Sequence, residues 1–156
     1  MVNIATQGPD GIAFRSEIAN LTADEALSRG DIVELTLASE KFDSCSKVEV
    51  ADHGVGVLVG VALEDISSGS RGQIGLRGVF ECAVDTEVQA VSVGLRVSRD
   101  HAGRLDLLPS PADDNLLASK CVGITLDADG SRADGDLATV LFDGITGFAS
   151  QGTDES

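Results

Sequence analysis

Apolar and polar residues alternate along most of this chain. Between 91 and 98, valine or leucine occupies every odd position, while serine, glycine or arginine occupies every even one. Because successive side chains of a β-strand point to opposite faces, this alternation predicts a strand with one apolar face. The same pattern, interrupted by turns rich in glycine, serine and aspartate, predicts strands near 31–37, 47–51, 55–63, 73–84, 91–98, 104–108, 120–126 and 137–142.

One apolar segment recurs later in the chain. Residues 59–65 read Val-Gly-Val-Ala-Leu-Glu-Asp, and residues 122–127 read Val-Gly-Ile-Thr-Leu-Asp. Each copy is an apolar run that ends in a carboxylate and a polar turn, which is typical of a strand that leaves a core and enters solvent. Two such copies predict a small barrel or sandwich closed by two similar strands.

The N-terminal region does not alternate. Residues 1–20 have weak periodicity and contain a Gly-Pro-Asp-Gly turn, which predicts an extended arm. Thr22 and Glu25 have the spacing of a capping box, and Gly30 stands where a helix commonly ends, so one or two helical turns are predicted between them. The polar residues 150–156 predict a disordered tail.

These elements define the expected fold class. Several short strands joined by turns favour an all-β architecture over alternating strands and helices. Glycines inside strand patterns are typical of bends in a strongly curved sheet. We therefore expect a small curved β-barrel or sandwich with one short helix and an extended N-terminal arm, in which residues 1–20 form the arm, 21–149 a single β domain and 150–156 the tail.

The charge of the chain argues against two classes of partner. Its 156 residues include 26 acidic and 11 basic ones, which gives a formal charge of -15. This charge repels nucleic-acid phosphates and anionic membrane surfaces, so we expect neither as a partner. No segment approaches the roughly 20 apolar residues of a membrane span, and the N-terminus lacks a signal-peptide pattern. We expect a protein made in a cytoplasm.

Cysteine and aromatic content narrow the chemistry further. Cys45, Cys82 and Cys121 are far apart and form no C-x-x-C pair, which predicts reduced thiols. Cys82 and Cys121 are expected inside strands as small apolar residues. Because the chain has neither Trp nor Tyr, it lacks the aromatic platforms that stack on sugars and single-stranded nucleic acid.

Two segments have superficial ligand-binding patterns. The glycines between Gly54 and Gly60 resemble a dinucleotide fingerprint, but the third glycine is one position late and no helix pattern follows. The second segment is an acidic loop that could present oxygen ligands to a hard cation and that lacks the glycine and glutamate of an EF-hand. We expect a solvated acidic hairpin there, formed around Asp127, Asp129, Ser131, Asp134 and Asp136.

Two further groupings have the residue types of catalytic sites. His53 follows Cys45 in sequence, but no third group accompanies this Cys/His combination, so a surface histidine is expected. Asp113 and Asp114 are adjacent carboxylates in a polar loop, where burial that would raise a pKa is not expected. The sequence therefore predicts no catalytic, cofactor-binding or metal-binding residue.

The order of several short motifs resembles that of a known protein family. The chain is similar to the small capsid decoration proteins, also called head-stabilising or cement proteins, of tailed bacteriophages, in particular the DUF2190-like group. The resemblance spans roughly residues 30 to 143. The motifs that carry it are Gly30-Asp31-Ile32-Val33, Val57 to Asp65, Gly78-Val79-Phe80-Glu81, Val93-Gly94-Leu95-Arg96-Val97 and Val122-Gly123-Ile124.

This resemblance implies a function and a location. Proteins of this kind have a compact β fold, often form trimers, and bind outside a capsid at local three-fold positions. We therefore expect a homotrimer on the outer capsid surface of a virion, with the major capsid protein as partner and no cofactor. In the arm, Ile4, Ile12 and Phe14 are the predicted capsid contacts, because apolar side chains of an extended segment can fill pockets while its backbone pairs with a strand.

Two other classes of function remain as alternatives. A binding module on a particle or cell surface could recognise a glycan or a receptor, although the absence of Trp and Tyr disfavours glycans. A small trimeric β enzyme, such as a nucleotide hydrolase, would need an acidic metal site between subunits. Glycan binding would support the first alternative, and metal-dependent turnover of nucleotides would support the second.

Overall fold

The computed structural model describes residues 16–38, 41–47, 58–86, 90–101, 103–107, 121–128 and 133–145. Nine β-strands lie in these ranges, and no helix does. The strands are β1 (Glu17–Ala23), β2 (Ile32–Ala38), β3 (Lys41–Lys47), β4 (Val59–Ala62), β5 (Arg71–Asp85), β6 (Arg96–His101), β7 (Arg104–Leu107), β8 (Cys121–Thr125) and β9 (Leu137–Asp143).

Strand pairing closes two five-stranded rings that share β5. The first barrel has the order β1-β3-β2-β4-β5 and is closed by pairing of β1 with β5, whereas the second has the order β5-β7-β6-β8-β9 and is closed by pairing of β5 with β9. The 15-residue β5 serves both barrels, with its first half in one and its second half in the other. Closure of a sheet on itself satisfies the backbone groups that an open edge would expose.

The two barrels repeat the same strand pairings. In the first, β1 and β3 are parallel, as β5 and β7 are in the second, while the other neighbours are antiparallel. The registers also correspond: Thr22 faces Arg71 in the first barrel as Ala83 faces Leu137 in the second. The repeated segment of the sequence is therefore one part of a repeat that includes every strand.

The recurring segment forms equivalent strands, as the sequence predicts. Gly60 of β4 lies against Ile74 of β5, and Gly123 of β8 lies against Val140 of β9. The carboxylate that follows each strand accepts a hydrogen bond from a backbone amide of the neighbouring strand: Glu64 from Gln73 at 3.0 Å, and Asp127 from Thr139 at 3.3 Å. The terminal carboxylates therefore stabilise the strand ends instead of being only solvated.

Each barrel has its own apolar core. The first is built from Leu21, Ala23, Leu27, Val33, Leu35, Cys45, Ala62, Ile66 and Ile74. The second, which reaches into the junction of the barrels, contains Ile32, Val59, Val61, Phe80, Cys82, Val84, Val91, Val97, Leu105, Leu107, Val122, Ala138, Val140 and Phe142. The prediction of an all-β protein with a curved barrel is confirmed.

The prediction of a short helix between Thr22 and Gly30 is wrong. Thr22 belongs to β1 and pairs with Arg71, while Leu27 forms an isolated bridge with Ile66. Glu25 accepts a hydrogen bond from the Lys47 amide at 3.0 Å, where a capping box would have used the Thr22 amide. The backbone groups of this segment therefore pair with distant strands, and tertiary pairing overrides the local capping signal.

Strand boundaries differ from the prediction at three places. β1 was not predicted, and Glu17–Asn20, the last residues of the expected arm, belong to it. β3 covers Lys41–Lys47, of which only Lys47 belongs to the strand expected at 47–51, and residues 48–51 lie outside the described ranges. The strand expected at 91–98 begins only at Arg96, because a turn with Gly94 at φ 86° precedes it. Positive φ is a conformation that interrupts an extended strand and favours glycine.

The three cysteines are free and buried. Cys82 lies in β5 and Cys121 in β8, so both occupy the strands expected for them. Desolvation raises the pKa of each of the three thiols, that of Cys45 to about 11. Such thiols are poor nucleophiles because the thiolate is scarce at neutral pH.

Candidate docking surface

The two barrels carry equivalent turns before β2 and β6. The first turn comprises Ser28–Asp31, and the second turn comprises Ser92–Leu95. In both turns the third residue is a glycine with positive φ, 95° at Gly30 and 86° at Gly94. Both glycine amides donate to the last residue of the adjacent strand, Gly30 to the Ala62 carbonyl and Gly94 to the Thr125 carbonyl, each at 2.7 Å. The turns therefore occupy the same place in each barrel.

The first turn is covered by the second barrel. The Ala83 amide of β5 donates to the Gly30 carbonyl at 2.9 Å, and a Cβ atom built on Gly30 would collide with the Leu137 side chain of β9. Next to this contact, Arg29 forms an ion pair with Glu81 of β5. Absence of a side chain at Gly30 thus permits close approach of the two barrels.

The second turn is open. Val93 at its tip is 65% exposed, the most exposed large apolar side chain of the described residues, and neighbouring Leu126 is 40% exposed. A Cβ atom built on Gly94 would have no described atom within 4 Å. The same turn therefore presents an ion-paired arginine in one barrel and an apolar tip in the other.

Thr125 holds the second turn in shape. Its buried hydroxyl donates to the Ser92 carbonyl and accepts from the Leu95 amide at 2.9 Å. In the first turn the corresponding groups pair directly, since the Asp31 amide donates to the Ser28 carbonyl at 3.0 Å. Thr125 therefore fixes the apolar tip by hydrogen bonds to both sides of the turn.

The outer face of β1 forms a second accessible surface, called here the β1 face. It presents Ile18, Asn20 and Thr22. Arg71 of β5 crosses this face and donates to the Asn20 carbonyl at 2.6 Å, while its guanidinium lies 3.5 Å from the Asp43 carboxylate of β3. Ile18 and neighbouring Phe42 of β3 are each 39% exposed.

The described part of the acidic hairpin is tied to its surroundings. Although desolvation opposes ionisation, hydrogen bonding from the Thr86 amide and the nearby Arg104 guanidinium hold the pKa of Asp134 below its ordinary value. Asp136 accepts from the Ala133 amide at 3.0 Å. Among the described residues no group of three or more potential metal ligands converges, and Asp129 and Ser131 lie outside those ranges.

Several predicted positions also lie outside the described residues. They include the arm residues Ile4, Ile12 and Phe14, together with His53, Asp113 and Asp114. Gly60, the last glycine of the fingerprint-like segment, is buried in β4 against Ile74. In the ranges that the structure covers, no helix has the length and apolar character needed to cross a membrane.

The exposed turn at residues 92–95 was not predicted from the sequence. A signal for it exists, because Ser-Arg-Gly at 28–30 and Ser-Val-Gly at 92–94 share their first and third residues. Reading 91–98 as one alternating strand placed Val93 on the same apolar face as Val91 and Val97. The structure separates them, since Val91 and Val97 are buried while Val93 is exposed.

A family model described as phage cement protein matches residues 15–143, so the chain belongs to the phage cement protein family and is a structural protein of the phage head. No curated protein sequence matches the chain. The matched segment contains all nine described strands, and Ile4, Ile12 and Phe14 precede it.

A solved structure has a similar fold. It is the crystal structure of head fiber gp8.5 N base in bacteriophage phi29, which matches with a TM-score of 0.52 at 12% sequence identity. The match covers 85% of this chain and 98% of the other. At this identity the likeness concerns the fold, which extends through nearly the whole of that structure.

Proposed function

We propose that this protein is a capsid decoration protein that binds the outer surface of a phage head as a trimer at local three-fold positions. In this role it contacts the major capsid protein and stabilises the shell against the pressure of packaged DNA. The observation that supports this function is membership of the phage cement protein family over residues 15–143.

The architecture suits a stabilising protein. Two closed barrels, each with its own core, are expected to form a rigid unit. A rigid unit loses little conformational entropy when it attaches to a partner. Three copies in one trimer bring three attachment points to the shell together. Once one point is bound, the others bind at a much higher effective concentration, so firm attachment needs only modest individual contacts.

We assign attachment to the N-terminal arm through Ile4, Ile12 and Phe14. All three residues precede β1, which begins at Glu17, in the sequence. An extended segment can add a strand to a capsid subunit while apolar side chains fill pockets. This assignment leaves the barrels free to contact other copies.

Binding to purified heads tests the function and the arm together. Heads without decoration protein are mixed with the full chain, with a chain that lacks residues 1–14, and with a full-length triple variant Ile4→Ser, Ile12→Ser, Phe14→Ser. The deletion ends before Ser16 because β1 begins at Glu17. We expect the full chain to co-sediment with heads and raise their melting temperature, and both variants to lose at least tenfold in occupancy.

The outcomes separate two levels of the proposal. Unchanged melting of the free variants, followed by calorimetry, ensures that lost occupancy is not lost folding. Full occupancy by both variants would remove the arm from the mechanism but leave decoration intact. Failure of the full chain to bind heads would contradict the decoration function itself.

A further inference from the structure

The open second turn is the counterpart of an interface that the chain already makes. Inside one chain, the first turn docks onto the second barrel at Glu81, Ala83 and Leu137. The second barrel has the same turn at the same place, but within the described residues no further barrel covers it. The repeat therefore ends in an exposed surface whose equivalent is buried.

The surface onto which the first turn docks also has a counterpart, and it is the β1 face. In the second barrel, β5 pairs with β9 through Ala83–Leu137 and Glu81–Thr139. In the first barrel, β1 pairs with β5 through Thr22–Arg71 and Asn20–Gln73. Asn20 is thus equivalent to Glu81, and Thr22 to Ala83. The match is not complete, because Thr22 is already paired with Ser44 of β3 and Arg71 stands in place of Leu137. The β1 face can therefore receive a turn through its side chains, and not through a free backbone amide like that of Ala83.

We infer that the second turn of one copy docks through side chains on the β1 face of the next copy, at the place that corresponds to the contact between the two barrels within a chain. This deepens the proposed function, because it assigns the surfaces that join copies in the trimer. A contact between two different surfaces runs head to tail and closes a ring when the rotation per copy permits it. Three such contacts would make the trimer.

One pair of residues differs in a concerted way between the two contacts, while Arg71 on the β1 face is paired with Asp43 of its own chain. In the internal contact Arg29 pairs with Glu81; between copies Val93 stands in place of Arg29, and Asn20 in place of Glu81. Both members of the pair have thus changed from charged to uncharged. If only one of the two residues had changed, the contact would bury an arginine or a glutamate without its partner, which would be costly.

A charge pair is expected beside this uncharged contact. Within the chain, the Ile32 amide donates to the Gly103 carbonyl at 2.9 Å. The strand registers make Arg96 equivalent to Ile32, and Asp43 equivalent to Gly103. The Asp43 side chain is 46% exposed, so its carboxylate can receive Arg96 of the next copy as well as Arg71 of its own. Opposite charges at these positions favour one orientation of the copies.

Cross-linking between two introduced cysteines tests the geometry. The native thiols are buried, so a short bis-maleimide should react mainly with cysteines introduced by Val93→Cys and Asn20→Cys. We expect the double variant to form a covalently closed trimer on denaturing gels. Each single variant should stay monomeric on the same gel, because each then has only one half of the contact.

Sedimentation velocity of Val93→Asp tests the energetics. We expect the dissociation constant for self-association to rise at least tenfold while the melting temperature of the monomer is unchanged, since Val93 is 65% exposed. Ser67→Asp is the matched control, because it adds the same charge at an exposed turn of the first barrel and should leave association unchanged.

Three results would overturn the inference. The first is a wild-type chain that stays monomeric at every concentration and gives no cross-link in the double variant, either free or on heads. The second is cross-linking of Val93→Cys to itself, which would indicate a symmetric contact. The third is a Val93→Asp variant that keeps its oligomeric state but loses heads. Covalent trimers from a chain that does not bind heads would support the inference and contradict decoration.

Discussion

Thr125 occupies in the second barrel the position that Ala62 occupies in the first. Both residues donate their amide to the adjacent turn, Ala62 to the Asp31 carbonyl at 2.9 Å and Thr125 to the Leu95 carbonyl at 2.8 Å. The hydroxyl of Thr125 adds two hydrogen bonds that alanine cannot make. The two barrels therefore share a backbone arrangement but differ in how the turn is held.

Removal of this hydroxyl should weaken the second barrel. Thr125→Val keeps the shape of the side chain but leaves the Leu95 amide and the Ser92 carbonyl without their partner. We expect a loss of about 1–3 kcal/mol in the free energy of unfolding, measured by urea denaturation. Thr36→Val, at an exposed position of β2, should change it by less than about 0.5 kcal/mol. Equal effects of the two variants would contradict the role of Thr125.

The paired glycines of β4 and β8 should resist substitution. A Cβ atom at Gly123 would lie 2.6 Å from Cγ1 of Val140, and one at Gly60 would collide with Cγ2 of Ile74. We expect Gly60→Ala and Gly123→Ala each to cost about 1–3 kcal/mol of stability, because buried neighbours must move.

A double-mutant cycle checks this cause. Gly60→Ala should cost less when combined with Ile74→Ala, which removes the colliding methyl group, and Gly123→Ala should behave in the same way with Val140→Ala. Additive effects in both pairs would indicate that backbone conformation, not the collision, limits these positions.

The hydrogen bond from the Thr86 amide to Asp134, together with the ion pair of Asp134 with Arg104, should make stability depend on pH in the acid range. Because the pKa of Asp134 is lowered in the folded protein, its stabilising contribution is fully present above the ordinary aspartate pKa of about 3.9 and is lost as the pH falls through the folded value. Asp134→Asn should therefore be less stable than wild type at pH 7 and approach it near pH 3. An Arg104→Gln background should reduce the pH-dependent difference, and a difference that grows on acidification would contradict the assignment.

The three thiols should be protected while the protein is folded. Desolvation raises their pKa values, and that of Cys45 reaches about 11, so little thiolate forms at pH 8. We expect an aromatic disulfide reagent to titrate three thiols in denaturant and almost none in native buffer. Ser67→Cys, on an exposed turn, should add one fast equivalent. Rapid reaction of a native thiol would show that its strand opens readily.

Sequence reasoning succeeded where the signal was local and repeated. Alternation located β2, β5 and β9 within a few residues, and the recurrence of Val-Gly identified β4 and β8 as equivalent strands. It failed at 22–30, where a capping pattern stood in a segment whose backbone pairs with β3, β5 and Ile66. Local capping contributes about 1 kcal/mol, which several tertiary hydrogen bonds and a buried Leu27 outweigh.

The sequence by itself determined the all-β character, the equivalence of two strands and the acidic surface, because strand periodicity and charge are properties of neighbouring residues. Only the tertiary structure decided that β5 joins two barrels and that Gly30 is covered while Gly94 is open. Those features depend on pairings between residues far apart in the chain, such as Ala83 with Leu137, whose register no local pattern specifies.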